Sequence, residues 1–141
     1  MARVDFYVLS QSDEQARRHF ACKLAEKAYR LDNTVHIVAA SRADAERLDD
    51  LLWTFRDGSF VPHHIVTATG NPESPISIGC DSDGIEARDL LINLCDEVPA
   101  AAGSFTRVAE LVSSDQHSKQ RSRARYSLYR DQGHELNTHK L

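Results

Sequence analysis

Apolar residues in this chain gather into short dense runs, separated by stretches in which they recur every three or four positions. Dense runs predict strands, and the wider spacing predicts amphipathic helices. Val4 to Leu9 is the first such run, and it ends in Ser10-Gln11-Ser12-Asp13, where Ser12 or Ser10 suits a helix N-cap. From there Ala16, Phe20, Leu24, Ala28 and Leu31 follow helical spacing, with Arg17, Arg18, Lys23, Glu26 and Lys27 on other faces. Asp32-Asn33 reads as a turn. Thr34 to Ala40 is a strand dense enough in Val and Ile to be buried on both faces. Strand, helix, strand at this spacing predicts a right-handed βαβ unit.

Ser41 caps the next predicted helix, whose Ala45, Leu48, Leu52 and Phe55 form an apolar seam and which ends near Asp57-Gly58. Trp53, Phe60, Val61 and Pro62 then surround a turn, either as a local core plug or as an exposed anchor for a partner. Further strands are expected at Ile65 to Ala68, Ile76 to Cys80, Leu90 to Leu94 and Arg107 to Val112, with a short helix at Pro99 to Phe105. Ser113-Ser114-Asp115 caps a basic helix of about residues 115–132, which Ala124 and Leu128 are expected to dock. Gly133 ends it, and residues 133–141 follow as an extended tail beside its basic face. The fold class predicted is α/β and Rossmann-like, a mainly parallel sheet with helices on both faces, in a single domain spanning 1–141.

Charge changes this picture more than composition does. The net charge of −4 conceals a division: residues 1–114 hold 11 Lys and Arg against 18 Asp and Glu, whereas residues 115–141 hold 6 against 3. An acidic body is poorly suited to clamping a long phosphate backbone, because that affinity comes from neutralising many phosphates. No apolar run is long enough to cross a bilayer, so no membrane partner is expected. The N-terminus reads as a strand and not as a leader, which makes the cytoplasm the expected location. Cys22, Cys80 and Cys95 are widely spaced and suggest small buried hydrophobes, not a disulfide framework or zinc site.

Chemistry-bearing motifs are missing where the fold class would put them. The turn after the first strand has no G-x-G-x-x-G, and no phosphate-binding glycine loop occurs elsewhere; Asp13 would repel a phosphate there. His63 and His64 are adjacent, so on a strand they point to opposite faces, and a metal site would need Cys80 or Asp81 as well. The expectation is no catalytic residue, no cofactor and no metal: a protein that binds and does not catalyse.

The stretch Ser118 to Arg130 carries five positive charges, two tyrosines and no negative charge. As a helix it aligns Lys119, Arg123, Tyr126 and Arg130 on one face. Such a stripe is either solvated and idle or a receptor for something anionic. Several segments together resemble the chi subunit of bacterial DNA polymerase III holoenzyme: Phe6-Tyr7-Val8-Leu9, Trp53 with Ser59-Phe60-Val61-Pro62-His63, Arg88 to Leu94, Arg123 to Arg130, and Leu136-Asn137-Thr138. The resemblance runs the whole length of the chain. It implies a non-catalytic, replisome-associated accessory subunit, bridging the clamp loader, through the psi subunit, to the acidic phenylalanine-terminated tail of single-stranded-DNA-binding protein. DNA would then be reached only indirectly. By the same likeness Trp53, Phe60, Val61 and Pro62 face psi, while Lys119, Gln120, Arg123, Tyr126, Ser127 and Arg130 belong to the tail site. Ser127 stands where the likeness leads one to expect another basic residue, and His134 where it leads one to expect an aromatic. The competing reading is a module that binds single-stranded nucleic acid directly through the basic helix.

Overall fold

The computed structural model describes residues 2–55, 62–65, 74–80, 88–99 and 102–141. The apolar runs become strands β1 (Arg3–Val8), β2 (Val35–Val38), β3 (His63–Ile65), β4 (Ile76–Gly79), β5 (Leu90–Asn93) and β6 (Arg107–Val112), and a further strand, β7, covers Glu135–Lys140. The helices are α1 (Glu14–Arg30), α2 (Arg42–Thr54) and α3 (Gln116–Asp131), with a 3-10 turn at Ala102–Ser104. Among the described residues the strands form one sheet in the order β3-β4-β2-β5-β6-β1-β7, and each pairing is parallel. β2, β4 and β5 bury every residue, which is why their sequences show so little alternation.

Helices cover both faces of the sheet. Ala21, Cys22 and Ala25 of α1 with Leu48 and Leu52 of α2 pack on Ile37, Ile76, Ile78 and Ile92. On the opposite face Tyr129 of α3 joins Phe105 against Val4, Phe6, Leu91 and Val108. Each fully buried aliphatic side chain of this kind is worth about 1.5–3 kcal/mol. β1 and β2 are joined through α1, yet β5 and β6 lie between them in the sheet.

Several expectations change in detail. Asp13, not Ser10 or Ser12, caps α1, its Oδ1 accepting the Gln15 N–H at 3.0 Å. The line of α1 against the sheet is made of small residues, Ala21, Cys22, Ala25 and Ala28, while Leu31 is 65% exposed. Small side chains let the helix backbone approach the sheet and push the larger apolar residues to its flanks. The third strand is His63–Ile65; residues 66–68, where it was expected to continue, lie outside those described. The expected tail is hydrogen-bonded as β7, whose alternating polar sequence suits a strand at a sheet edge.

Ser41 caps α2 as expected, accepting the Asp44 N–H at 3.1 Å. All three cysteines are free thiols. Burial pushes the Cys22 thiol up to about 12 and the Cys95 thiol up to about 11, so neither carries thiolate at neutral pH.

Candidate functional site

α3 begins where Asp115 accepts the Ser118 N–H at 3.0 Å, a bond that lowers the pKa of the Asp115 carboxyl. It ends at Gly133, whose φ of +85° is open to glycine without strain, with the His134 N–H reaching the Tyr129 carbonyl at 3.2 Å. The face that docks it was misjudged from sequence. Ala124 is exposed and Leu128 is 45% exposed, whereas Arg125 and Tyr129 are buried.

What makes a buried arginine tolerable is Glu110 on β6. Its Oε1 accepts from Arg125 Nε at 2.9 Å, and its Oε2 accepts from Tyr129 Oη at 2.7 Å and Asn93 Nδ2 at 2.8 Å. Arg125 Nη1 also donates to the Asp96 carbonyl at 3.0 Å. Desolvation raises the pKa of Glu110, and the facing Arg125 opposes that shift most strongly. Helix α3 is therefore fixed in rotation by a charged clamp rather than by an apolar stripe.

That rotation sorts the positive charges of the basic stretch. Arg125 is spent inside, Arg121 pairs with Asp96, and Arg130 lies 3.6 Å from Asp131. Among the described residues Lys119 and Arg123 have no ion-pair partner; Lys119 is half-buried and Arg123 exposed. Between them and Arg130 the Tyr126 ring is 36% exposed and rests on buried Phe6, centroids 5.5 Å apart. Lys119, Arg123, Tyr126 and Arg130 thus share the flank of α3 that the spacing predicted. Gln120 and Ser127 lie one step further round, exposed and half-buried respectively.

The other wall of this flank is the C-terminal segment, expected beside the basic face as an extended tail and found as strand β7. β1 pairs with β7 in a register that sets Phe6 opposite Thr138, and Leu136 packs against the same core as Phe6. The polar sequence of Leu136-Asn137-Thr138 gave no sign that this tail would pair with β1 as a strand. His134 takes a structural place: its Nδ1 accepts the Ala2 N–H at 3.0 Å, and its ring meets Tyr129 edge-on at 5.8 Å.

On the far side of the sheet, Trp53 is 49% exposed at the end of α2, its ring 4.6 Å from that of His63. His63 Nε2 lies 3.1 Å from the Asp49 carbonyl and 3.2 Å from Asp49 Oδ1. Pro62 is half-buried beside them, and Phe60 and Val61 lie outside the described residues. Trp53 and the Tyr126 surface sit on α2 and α3, which cover opposite faces.

Among the described residues no three His, Cys, Asp or Glu side chains gather as a metal site would require. His64, in register with Ser77 and His36, turns away from His63 as expected. Beyond the end of β1, where this fold class receives nucleotides, lies a cleft of about 410 Å³ lined by Ser10, Gln11, Asp13, His19 and Lys23. Its helix N-terminus is already capped by the Asp13 carboxylate. No helix among the described residues is long and apolar enough to cross a membrane.

A family model described as DNA polymerase III chi subunit, HolC, matches residues 1–137. The chain belongs to this family. Chi-family chains are replication accessory subunits of DNA polymerase III. A chi subunit from Pseudomonas aeruginosa is 42% identical over 141 residues, covering 100% of this chain and 98% of the relative. One from Haemophilus influenzae is 34% identical over 94% of this chain and 93% of its own. The chi subunit of Escherichia coli K12 is 31% identical over 98% and 97%. Among solved structures, T4 UvsW superposes with a TM-score of 0.70 over 99% of this chain at 10% identity. This chain spans 41% of the UvsW chain, and the likeness extends to the chi fold alone.

Proposed function

We propose that this chi-family chain bridges two proteins and catalyses nothing itself. One partner is the psi subunit of the clamp loader, received on the side of Trp53 and Pro62, with Phe60 and Val61. The other is the acidic, phenylalanine-ended tail of single-stranded-DNA-binding protein, received on α3.

The observation that carries the reading is the exposed flank on which unpaired Lys119 and Arg123 border the Tyr126 ring. A short acidic peptide ending in an aromatic residue needs a cationic fork for its carboxylates and an apolar seat beside it. Lys119 and Arg123 supply the first; Tyr126 with Phe6 and Leu136 supplies the second. With so few unpaired cations this flank is a poor match for a phosphate backbone, which rewards many.

Titration of a fluorescent acidic peptide ending in phenylalanine, with its carboxylate free, tests this. Arg123→Ala and Tyr126→Ala should each weaken binding at least tenfold with the fold intact, the melting temperature unchanged in the first and lowered in the second by the lost packing on Phe6, and added salt should weaken binding further. Unaltered affinity in both variants defeats the reading. Tight, steeply salt-dependent binding of bare single-stranded DNA would favour the direct nucleic-acid module instead.

A further inference from the structure

β7 is an edge strand whose outer side is paired with no described strand. Its ladder to β1 is parallel, with the Glu135 N–H donating to the Ala2 carbonyl at 3.1 Å and the Leu141 N–H to the Val8 carbonyl at 2.9 Å. Peptide groups in a strand alternate sides with period two, so Glu135, Asn137, His139 and Leu141 present their amides and carbonyls to β1. Leu136, Thr138 and Lys140 present theirs outward. The same three residues stand opposite Val4, Phe6 and Val8, and so carry their side chains on the α3 face.

The inner side of this edge is held by side-chain contacts as well as by the ladder to β1. The His139 ring stacks on Tyr7 with centroids 4.9 Å apart, and its Nε2 lies 3.1 Å from the buried Asp5 Oδ1. β7 packs against α3, the helix that bears Lys119 and Arg123, and carries Lys140 on the face toward that helix. Positive charge on both sides of the groove selects a negatively charged strand.

We propose that β7 accepts the acidic tail as an added strand, bonded to the outward peptide groups of Leu136, Thr138 and Lys140. This rests on the reading of α3 as an acidic-tail receptor. The added strand would send every second side chain into the groove beside Tyr126 and Arg123, and the others to the opposite face of the sheet. Main-chain bonds then supply affinity that does not depend on side-chain identity, while α3 supplies the selectivity.

Amide hydrogen exchange on the full chain, with and without the acidic phenylalanine-ended peptide, distinguishes this from docking on α3 alone. In the free protein Leu136, Thr138 and Lys140 should exchange quickly and Asn137 and His139 slowly. Saturating peptide should slow the first three by at least tenfold. Thr138→Pro removes an outward amide without touching the ladder to β1, and should weaken the peptide about fivefold or more. N-methylation of the peptide at alternate residues should have a similar effect at one set of positions and little at the other.

Peptide binding that depends on Arg123 yet protects none of the three amides overturns the strand and leaves the α3 site standing. Absence of any peptide binding overturns both. Protection that rises with protein concentration alone would assign the edge to a second copy of this chain and refute the proposal.

Discussion

Removing the guanidinium that faces Glu110 is the sharpest test of how α3 is held. Arg125→Met keeps most of the apolar stem and deletes the 2.9 Å bond to Glu110 Oε1 and the 3.0 Å bond to the Asp96 carbonyl. Glu110 is fully buried, so its carboxylate would be left with Tyr129 and Asn93 but without a counter-charge. Breaking a buried pair from one side costs about 3–5 kcal/mol. Against a typical total of about 5–15 kcal/mol, that is a large fraction of the stability of such a protein. Urea unfolding at neutral pH should show the loss as a lower midpoint with the slope unchanged.

The sign of the pH effect makes the assay discriminating. Desolvation already holds the Glu110 pKa above its ordinary value, and without Arg125 it rises further. A raised carboxyl contributes stability that is present below its unfolded pKa and lost as pH rises through the folded value. The variant should therefore recover part of its deficit relative to the parent at pH 5. Adding Glu110→Leu to Arg125→Met should restore most of it, since replacing both partners with apolar groups is often neutral. A cost below about 1 kcal/mol, independent of pH, would show that the pair does not hold the helix.

Three other outcomes are expected. Burial lowers the His36 pKa to about 4, so the folded chain resists the proton that the unfolded chain takes up near 6.5. Stability should be full above that range and fall by on the order of 3 kcal/mol as pH drops toward 4, a dependence that His36→Gln should flatten in paired urea titrations. Gly133→Ala meets no atom within 4 Å, so its cost is backbone alone, about 1–2 kcal/mol from the φ of +85°, read as a fall of a few degrees in Tm. Ser127→Lys adds a cation near Arg123 and should raise acidic-peptide affinity about threefold at low salt, with the gain lost in high salt.

Much of the fold was legible because buried parallel strands are written as apolar runs and helices as caps with a repeat. The harder positions are those where polarity and burial part company. Arg125 and Tyr129 look like surface residues until Glu110, distant in sequence, supplies their partner; a helical wheel cannot see that bond. Ala124 and Leu128 seemed the natural docking pair for the same reason. On α1 the contact line is alanine and cysteine, which carry less hydrophobic signal than the leucines beside them. β7 has the polar alternation of an edge, and only pairing with β1 distinguishes it from a loose tail. The stripe of Lys119, Arg123 and Tyr126 was legible because it needs helical spacing alone, whereas its Phe6 floor needs the sheet register.

β1 lies between β6 and β7, and this has a temporal meaning. Residues 3–8 find both neighbours among residues 107–112 and 135–140, more than a hundred positions away along the chain. During synthesis β1 must wait, unpaired, until residues 107–112 and 135–140 have been made. Closing such long loops is slow, and an idle apolar strand is open to wrong partners. The sheet therefore closes around β1 only after its two distant partners have emerged, and the order of synthesis is not the order of assembly.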